Sequence, residues 1–148
     1  MATIAVAARC APPPATGAEF GDLGDVDMEI GMGQHGEGGG GRQPMKSAKE
    51  TIEIMANALV KDIPLVKGDK AFVMINGSGA TTLMEMFILY KDCVKYLESL
   101  GIEVVANMVG EILTVQEQAG FQLNIAKWDE ETLRLWNTPA HTAAFFKE

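Results

Sequence analysis

Two apolar rhythms run along the chain. Ile52, Met55, Ala56, Leu59, Val60 and Ile63 recur at the roughly 3.6-residue period of one helix face. Ser47-Ala-Lys-Glu50 precedes them as a capping box, and Pro64 stops the run. A second helix spans roughly Thr82–Leu100, with Gly101 in the position just past its end. Leu83, Met86, Phe87, Tyr90, Val94 and Leu97 form one stripe, and Leu89, Cys93, Tyr96 and Leu100 an adjoining one. Met84 and Ile88 carry apolar character further round its first half. That is wider than one sheet needs, so a neighbour is expected to cover part of it.

Between these helices the pattern changes to strands. Thr3–Ala8, Met28–Met32, Ala71–Ile75, Ile102–Val109 and Phe121–Lys127 are short runs rich in apolar and β-branched residues, and each reads as a strand. Thr114–Ala119 reads as a short helix. Asp129 is an N-cap for a last helix through Trp136, with Glu130 and Glu131 at its positive end. The tail from Thr138 to Phe146 is apolar enough to dock, and His141 is read as part of that docking. Strands alternating with helices define an α/β chain.

Composition narrows the partners. The chain has 148 residues, enough for one domain with a core, and carries 12 Lys+Arg against 20 Asp+Glu. A net charge of −8 without a basic cluster argues against nucleic acid and against an anionic membrane surface. No apolar run is long enough to span a bilayer. Cys10 and Cys93 make no disulfide framework, so the reading is a cytoplasmic protein. The opening MATIAVAARCAPPPATGA has Arg9 after its short apolar run, and a strand ending at Pro12-Pro13-Pro14 fits it better than a cleaved leader.

The chemistry centres on IGMGQHGEGGGGR, residues 30–42, where seven glycines surround His35. Glycine costs entropy on folding, so such a loop needs a steric reason: unusual backbone angles, or something that approaches very closely. Gly31-Met-Gly-Gln-His-Gly36 satisfies the dinucleotide fingerprint in letters only, because the helix waits until about Ser47. A Walker loop is absent, and two histidines and two distant cysteines lack metal-ligand spacing. What remains for His35 is nucleophilic addition to a reactive carbonyl, or simply the ordering of a glycine turn. Glu37 could orient the ring or bind a substrate hydroxyl, or be an ordinary loop carboxylate. Asn76-Gly-Ser-Gly-Ala-Thr81 joins a strand to a helix; its amides could hold an anion, and a tight structural turn is the simpler reading. The methionine-rich stripes are core or interface.

Four spaced segments resemble the dihydroxyacetone kinases, in particular their DhaK-type substrate subunit: Met28-Glu-Ile-Gly-Met-Gly-Gln-His-Gly-Glu37, Asn76–Glu85, Gln118–Gln122 and Leu135–Thr142. The resemblance implies a two-layer domain with a mixed β-sheet, the C-terminal domain of the DhaK/DegV-like fold. It implies that residues 1–148 match only the C-terminal part of the family domain, the N-terminal part being absent. It makes His35 the catalytic residue, holding the ketone as a covalent hemiaminal, with Gly33, Gly36 and Glu37 beside it in substrate binding and no metal. It places ATP or ADP with Mg on a separate DhaL-type domain or subunit, and implies a homodimer. Gln34 and Gly38–Gly41 depart from the commoner family loop, which leaves the substrate as dihydroxyacetone or a four-carbon relative such as erythrulose. The alternative is a regulatory module that binds the ketone without phosphorylating it.

Overall fold

A computed structural model describes residues 1–10, 12, 14–17, 23–33, 39–115 and 117–148. Six of its strands form one mixed sheet: β1 (Ala2–Arg9), β2 (Asp27–Ile30), β3 (Arg42–Pro44), β4 (Lys70–Gly77), β5 (Glu103–Gly110) and β6 (Ala119–Trp128), in the order β3-β2-β1-β6-β4-β5. β4 and β5 run parallel because a helix crosses over between them, α2 (Leu83–Ser99); the other neighbours are antiparallel.

Both long helices lie on one face. α1 (Ala48–Asp62) contributes Ile52, Met55 and Leu59 to the core, and α2 contributes Met86, Leu89, Cys93 and Leu97. They meet Val73 and Ile75 of β4 and Leu123 and Ile125 of β6, the alternate residues that a period of two sends to that side. The expected capping box of α1 is present, with Glu50 Oε2 accepting from the Ser47 amide at 3.1 Å. α2 has a second one that the reading of the sequence did not single out, between Thr82 and Glu85. Gly101 lies just past α2 at φ +75°, a left-handed angle that favours glycine.

The opposite face is covered at one end by the C-terminal segment. Phe72 stacks on Trp128 with ring centroids 4.7 Å apart, and Trp136 of α3 (Glu130–Trp136) meets Phe72 edge-on at 5.4 Å. The tail folds back as the two-stranded hairpin β7 (Ala140–His141) and β8 (Phe146–Lys147), placing Phe145 at 5.9 Å and the Lys147 ammonium at 4.6 Å from the Trp136 ring. Docking of the tail, read from its composition, is what the fold shows.

Three readings are corrected. β2 stops at Ile30, two residues short of Met32, because Gly31 turns the chain at φ +88°. Beyond the glycines the chain returns as β3, which hydrogen-bonds to β2 and was not foreseen. Thr114–Ala119 is not a helix. Glu117 has a left-handed φ of +53°, Gln118 bridges to Gly79, and Ala119 already belongs to β6. The Val115 amide donates to the Ser78 carbonyl and the Gln118 carbonyl accepts from the Ala80 amide, with one local turn bond from the Gln118 amide to the Val115 carbonyl.

The wide apolar belt of α2 is real. Its inner stripe is buried, while Leu83, Met84, Phe87 and Ile88 remain exposed, from 42% at Ile88 to 71% at Met84. Among the described residues no helix is long and apolar enough to cross a membrane.

Candidate functional site

The glycine-rich loop connects β2 to β3, and its two arms are closed at the base by backbone contacts. The Gly31 amide donates to the Ala5 carbonyl at 2.6 Å and the Gly40 amide to the Ile30 carbonyl at 2.7 Å. A Cβ on Gly39 would sit 2.0 Å from the carbonyl carbon of Gly31 and 2.5 Å from the Met32 nitrogen. One on Gly40 would reach 2.9 Å from the Ile30 oxygen. These distances answer half of the question posed by the sequence. Gly31, Gly39 and Gly40 are glycines because two backbones cross there without room for side chains.

Glu29 adds a side-chain tie that sequence reasoning missed. Met28 and Ile30 face the helices, so Glu29 faces the other side of the sheet, where its Oε1 accepts from the Gly39 amide at 3.1 Å. It is in register with Arg42 on β3 and with Ala7 on β1. The alternation of β2 was the available signal. Partial burial, then the Glu29 carboxylate, push the Cys10 thiol above its ordinary value, with Arg42 acting the other way. Gly33 stands on the outgoing arm, half-buried. His35, Gly36 and Glu37 lie outside the described residues, as do Gln34 and Gly38.

The second loop of interest, Asn76–Thr81, is filled from within. Asn76 Oδ1 accepts from the amides of Ile112 and Leu113 at 2.7 and 2.9 Å, and its Nδ2 donates to the Leu113 carbonyl at 2.7 Å and to Gln122 Oε1 at 3.1 Å. Glu111 Oε2 accepts from the Gly79 amide at 3.0 Å. A Cβ on Gly77 would lie 2.1 Å from the same carboxylate. The loop therefore does hold an anion, and the anion is its own chain's Glu111. The tight structural turn is the reading the fold shows, built around the carboxylate of Glu111.

Between the first turns of α1 and α2 lies an apolar cavity of about 290 Å³, lined by Val6, Met28, Thr51, Thr81, Ile88 and Phe121 among others. Thr51 donates to the Ser47 carbonyl at 2.9 Å and Thr81 to the Gly120 carbonyl at 2.5 Å, so both hydroxyls serve the fold. Among the described residues no three of His, Cys, Asp and Glu gather as a metal site.

A family model describing the Dak1 domain matches residues 1–144, and the chain belongs to that family. It is 30% identical to the dihydroxyacetone-binding subunit DhaK of the PEP-dependent dihydroxyacetone kinase of Escherichia coli (strain K12), over 96% of this chain and 47% of that protein. The corresponding subunit of PTS-dependent dihydroxyacetone kinase 1 of Listeria innocua is 33% identical over 97% of this chain and 44% of its own length. An L-erythrulose kinase of Pectobacterium atrosepticum is 36% identical over 81% of this chain and 21% of the relative. Among solved structures, the dihydroxyacetone kinase operon co-activator Dha-DhaQ superposes with a TM-score of 0.85 at 25% identity, over 93% of this chain and 43% of that one. The chain thus spans less than half the length of these relatives.

Proposed function

We propose that this chain is the ketone-binding part of a dihydroxyacetone or erythrulose kinase. The observation that carries the reading is the match of residues 1–144 to the Dak1 domain, together with relatives named as dihydroxyacetone-binding subunits and erythrulose kinases. The pinned base of the glycine loop supports it, because a loop fixed at both ends can present its tip reproducibly.

In this proposal neutral His35 is the nucleophile. One imidazole nitrogen bonds to the carbonyl carbon, the C=O π bond breaks, and the ring N–H proton passes to the oxygen, giving a hemiaminal. Gly33 and Gly36 let the small substrate lie against backbone, and Glu37 takes a substrate hydroxyl or orients the ring. The phosphoryl group comes from a nucleotide held with Mg on a DhaL-type partner, and the N-terminal part of the family domain completes the pocket. The exposed apolar face of α2 forms a homodimer contact. The compartment is the cytoplasm.

Retention of radiolabelled dihydroxyacetone through rapid desalting tests this reading. With the N-terminal part of the family domain supplied, retention by the wild-type chain, none by His35→Ala, and none of glycerol by either are the expected results. Equal retention of ketone and glycerol would remove the covalent step. Adding a DhaL-type subunit with nucleotide and Mg then separates a kinase, which forms the phosphate ester, from a ketone-binding regulator, which does not.

A further inference from the structure

The two edges of the six-stranded sheet are finished differently. At one end β3 is three residues long and carries Arg42 and Pro44, a short, charged edge of the kind that discourages further pairing. At the other end β5 runs for eight residues, EVVANMVG, with no lysine and no proline. Among the described residues β4 is its only strand partner, and from 104 to 110 no backbone group bonds outside that pair. None of its residues is buried, whereas most of β4 and β6 is. Val105 is skipped in the register with β4, which leaves residues 106–110 as the regular stretch.

α2 borders this edge with apolar side chains. Tyr90 hydrogen-bonds to Asn107 of β5, while Tyr96 lies beside Glu53 of α1. Leu83, Phe87, Tyr90 and Val94 recur at helical spacing and so share the side that meets β5. Leu83 and Phe87 are both exposed, and Ile112 and Leu113 continue the apolar border past the end of the strand.

An open strand edge beside an exposed apolar helix stripe is half of an interface. A lone peptide strand would pair with β5 but leave the α2 stripe in water. A second copy related by a two-fold axis supplies both parts at once, because the same edge and the same stripe meet themselves. Antiparallel pairing also sends Glu103, the one charged residue of the strand, to opposite ends of the ladder, so the two carboxylates do not meet. We infer that β5 pairs antiparallel with β5 of a second copy, joining the two sheets into one and packing α2 against α2. This rests on the self-association proposed above and adds its geometry, in which the sheet edge and not the helix alone makes the contact.

Hydrogen exchange and sedimentation of the chain test it, with Met108 as the position to vary. Met108 lies in the regular stretch, in register with Met74 on the face away from α1 and α2, and outside the core. The backbone amides of 106–110 should exchange about tenfold or more slowly in the dimer than at dilutions where it dissociates. Met108→Lys and Met108→Glu should each raise the dimer dissociation constant about tenfold or more, because each sets like charges against one another across the axis. An equimolar mixture of the two should associate again as a heterodimer, which a variant that had merely lost its fold would not do. If the wild-type chain dimerises while 106–110 exchange equally in monomer and dimer, or both Met108 variants dimerise like wild type, the inference fails alone and the helices associate without the strand. Protection of 106–110 only after the N-terminal part of the family domain is added would give the edge to that part and overturn the second copy. A wild-type chain that stays monomeric at high concentration removes the proposed self-association as well.

Discussion

Glu111 and Gly79 stand at the ends of two different loops, and a carboxylate oxygen of the first lies 3.0 Å from the amide of the second. The contact ties the end of β5 to the start of the crossover into α2. It explains two glycines differently. At Gly77 a Cβ would meet the tip of a flexible side chain, whereas at Gly79 it would meet the Val115 carbonyl oxygen at 2.4 Å, on a backbone already at φ +115°. Gly77→Ala should therefore displace Glu111 and cost about 1 kcal/mol, the scale of one hydrogen bond. Gly79→Ala should cost about 2 kcal/mol or more, from strain at positive φ plus the clash. Urea melts of the two variants check the order, and equal losses would contradict it.

Gly39→Ala addresses the other loop. Its Cβ would fall 2.0 Å from Gly31, so the two arms could not cross as they do. The site is at a sheet edge, away from the core formed by α1 and α2, so the melting temperature should fall by only a few degrees, corresponding to about 1 kcal/mol. Ketone retention should drop at least tenfold. Unchanged retention would show that the crossing of the arms does not position His35.

Stability should decline at both ends of the pH scale. Side-chain hydrogen bonds from Ser47 and Thr82 hold the Glu50 and Glu85 carboxyls below their ordinary values, and the Thr132 amide does the same for Asp129. Lowered values mean stability that is present above the ordinary carboxylate range and lost as pH falls through the folded values, so melting temperature should drop below about pH 4. Burial pushes the Cys93 thiol up to about 12. A raised value means stability present below the ordinary thiol range and lost as pH rises, so a second decline should begin near pH 8.5. Thermal melts across this range measure both limbs. Cys10, which is partly exposed, should react with a thiol reagent long before the buried Cys93.

Met84 and Phe87 lie on the uncovered side of α2. Sedimentation should show the chain self-associating, and Met84→Asp with Phe87→Asp should yield a monomer with little change in melting temperature, since neither side chain belongs to the core. A wild-type chain that stays monomeric at high concentration would refute the contact.

How legible all this was in the sequence depended on whether the determinant was local. The caps at Ser47 and Asp129 and the stop at Gly101 are set by neighbours along the chain, and the fold shows them where the letters put them. The excess of apolar residues on α2 was equally readable, since it needed only the helical period. What escaped was set by residues distant in sequence. β3 exists because Arg42 and Gln43 meet Glu29 and Met28 across the hairpin, not because Arg-Gln-Pro favours a strand. The segment before β6 looks helical alone but keeps only one local turn bond and otherwise bonds to residues 78–80. For the site, the steric role of Gly31, Gly39 and Gly40 needed coordinates, and the tie from Glu29 needed the sheet's two faces. The motif around His35 was plain in sequence through family resemblance, and the Dak1 match bears out the family.

The most direct test of the central claim is carbon-13 NMR of dihydroxyacetone labelled at its carbonyl, bound to the chain with the N-terminal part of the family domain supplied. Capture by His35 should move the signal from the ketone region to that of a tetrahedral carbon bearing oxygen and nitrogen, and should weaken once acid protonates the nucleophilic ring nitrogen. The His35→Ala protein should show no such signal. A bound resonance that stays in the ketone region, or one that moves equally in His35→Ala, would contradict the account.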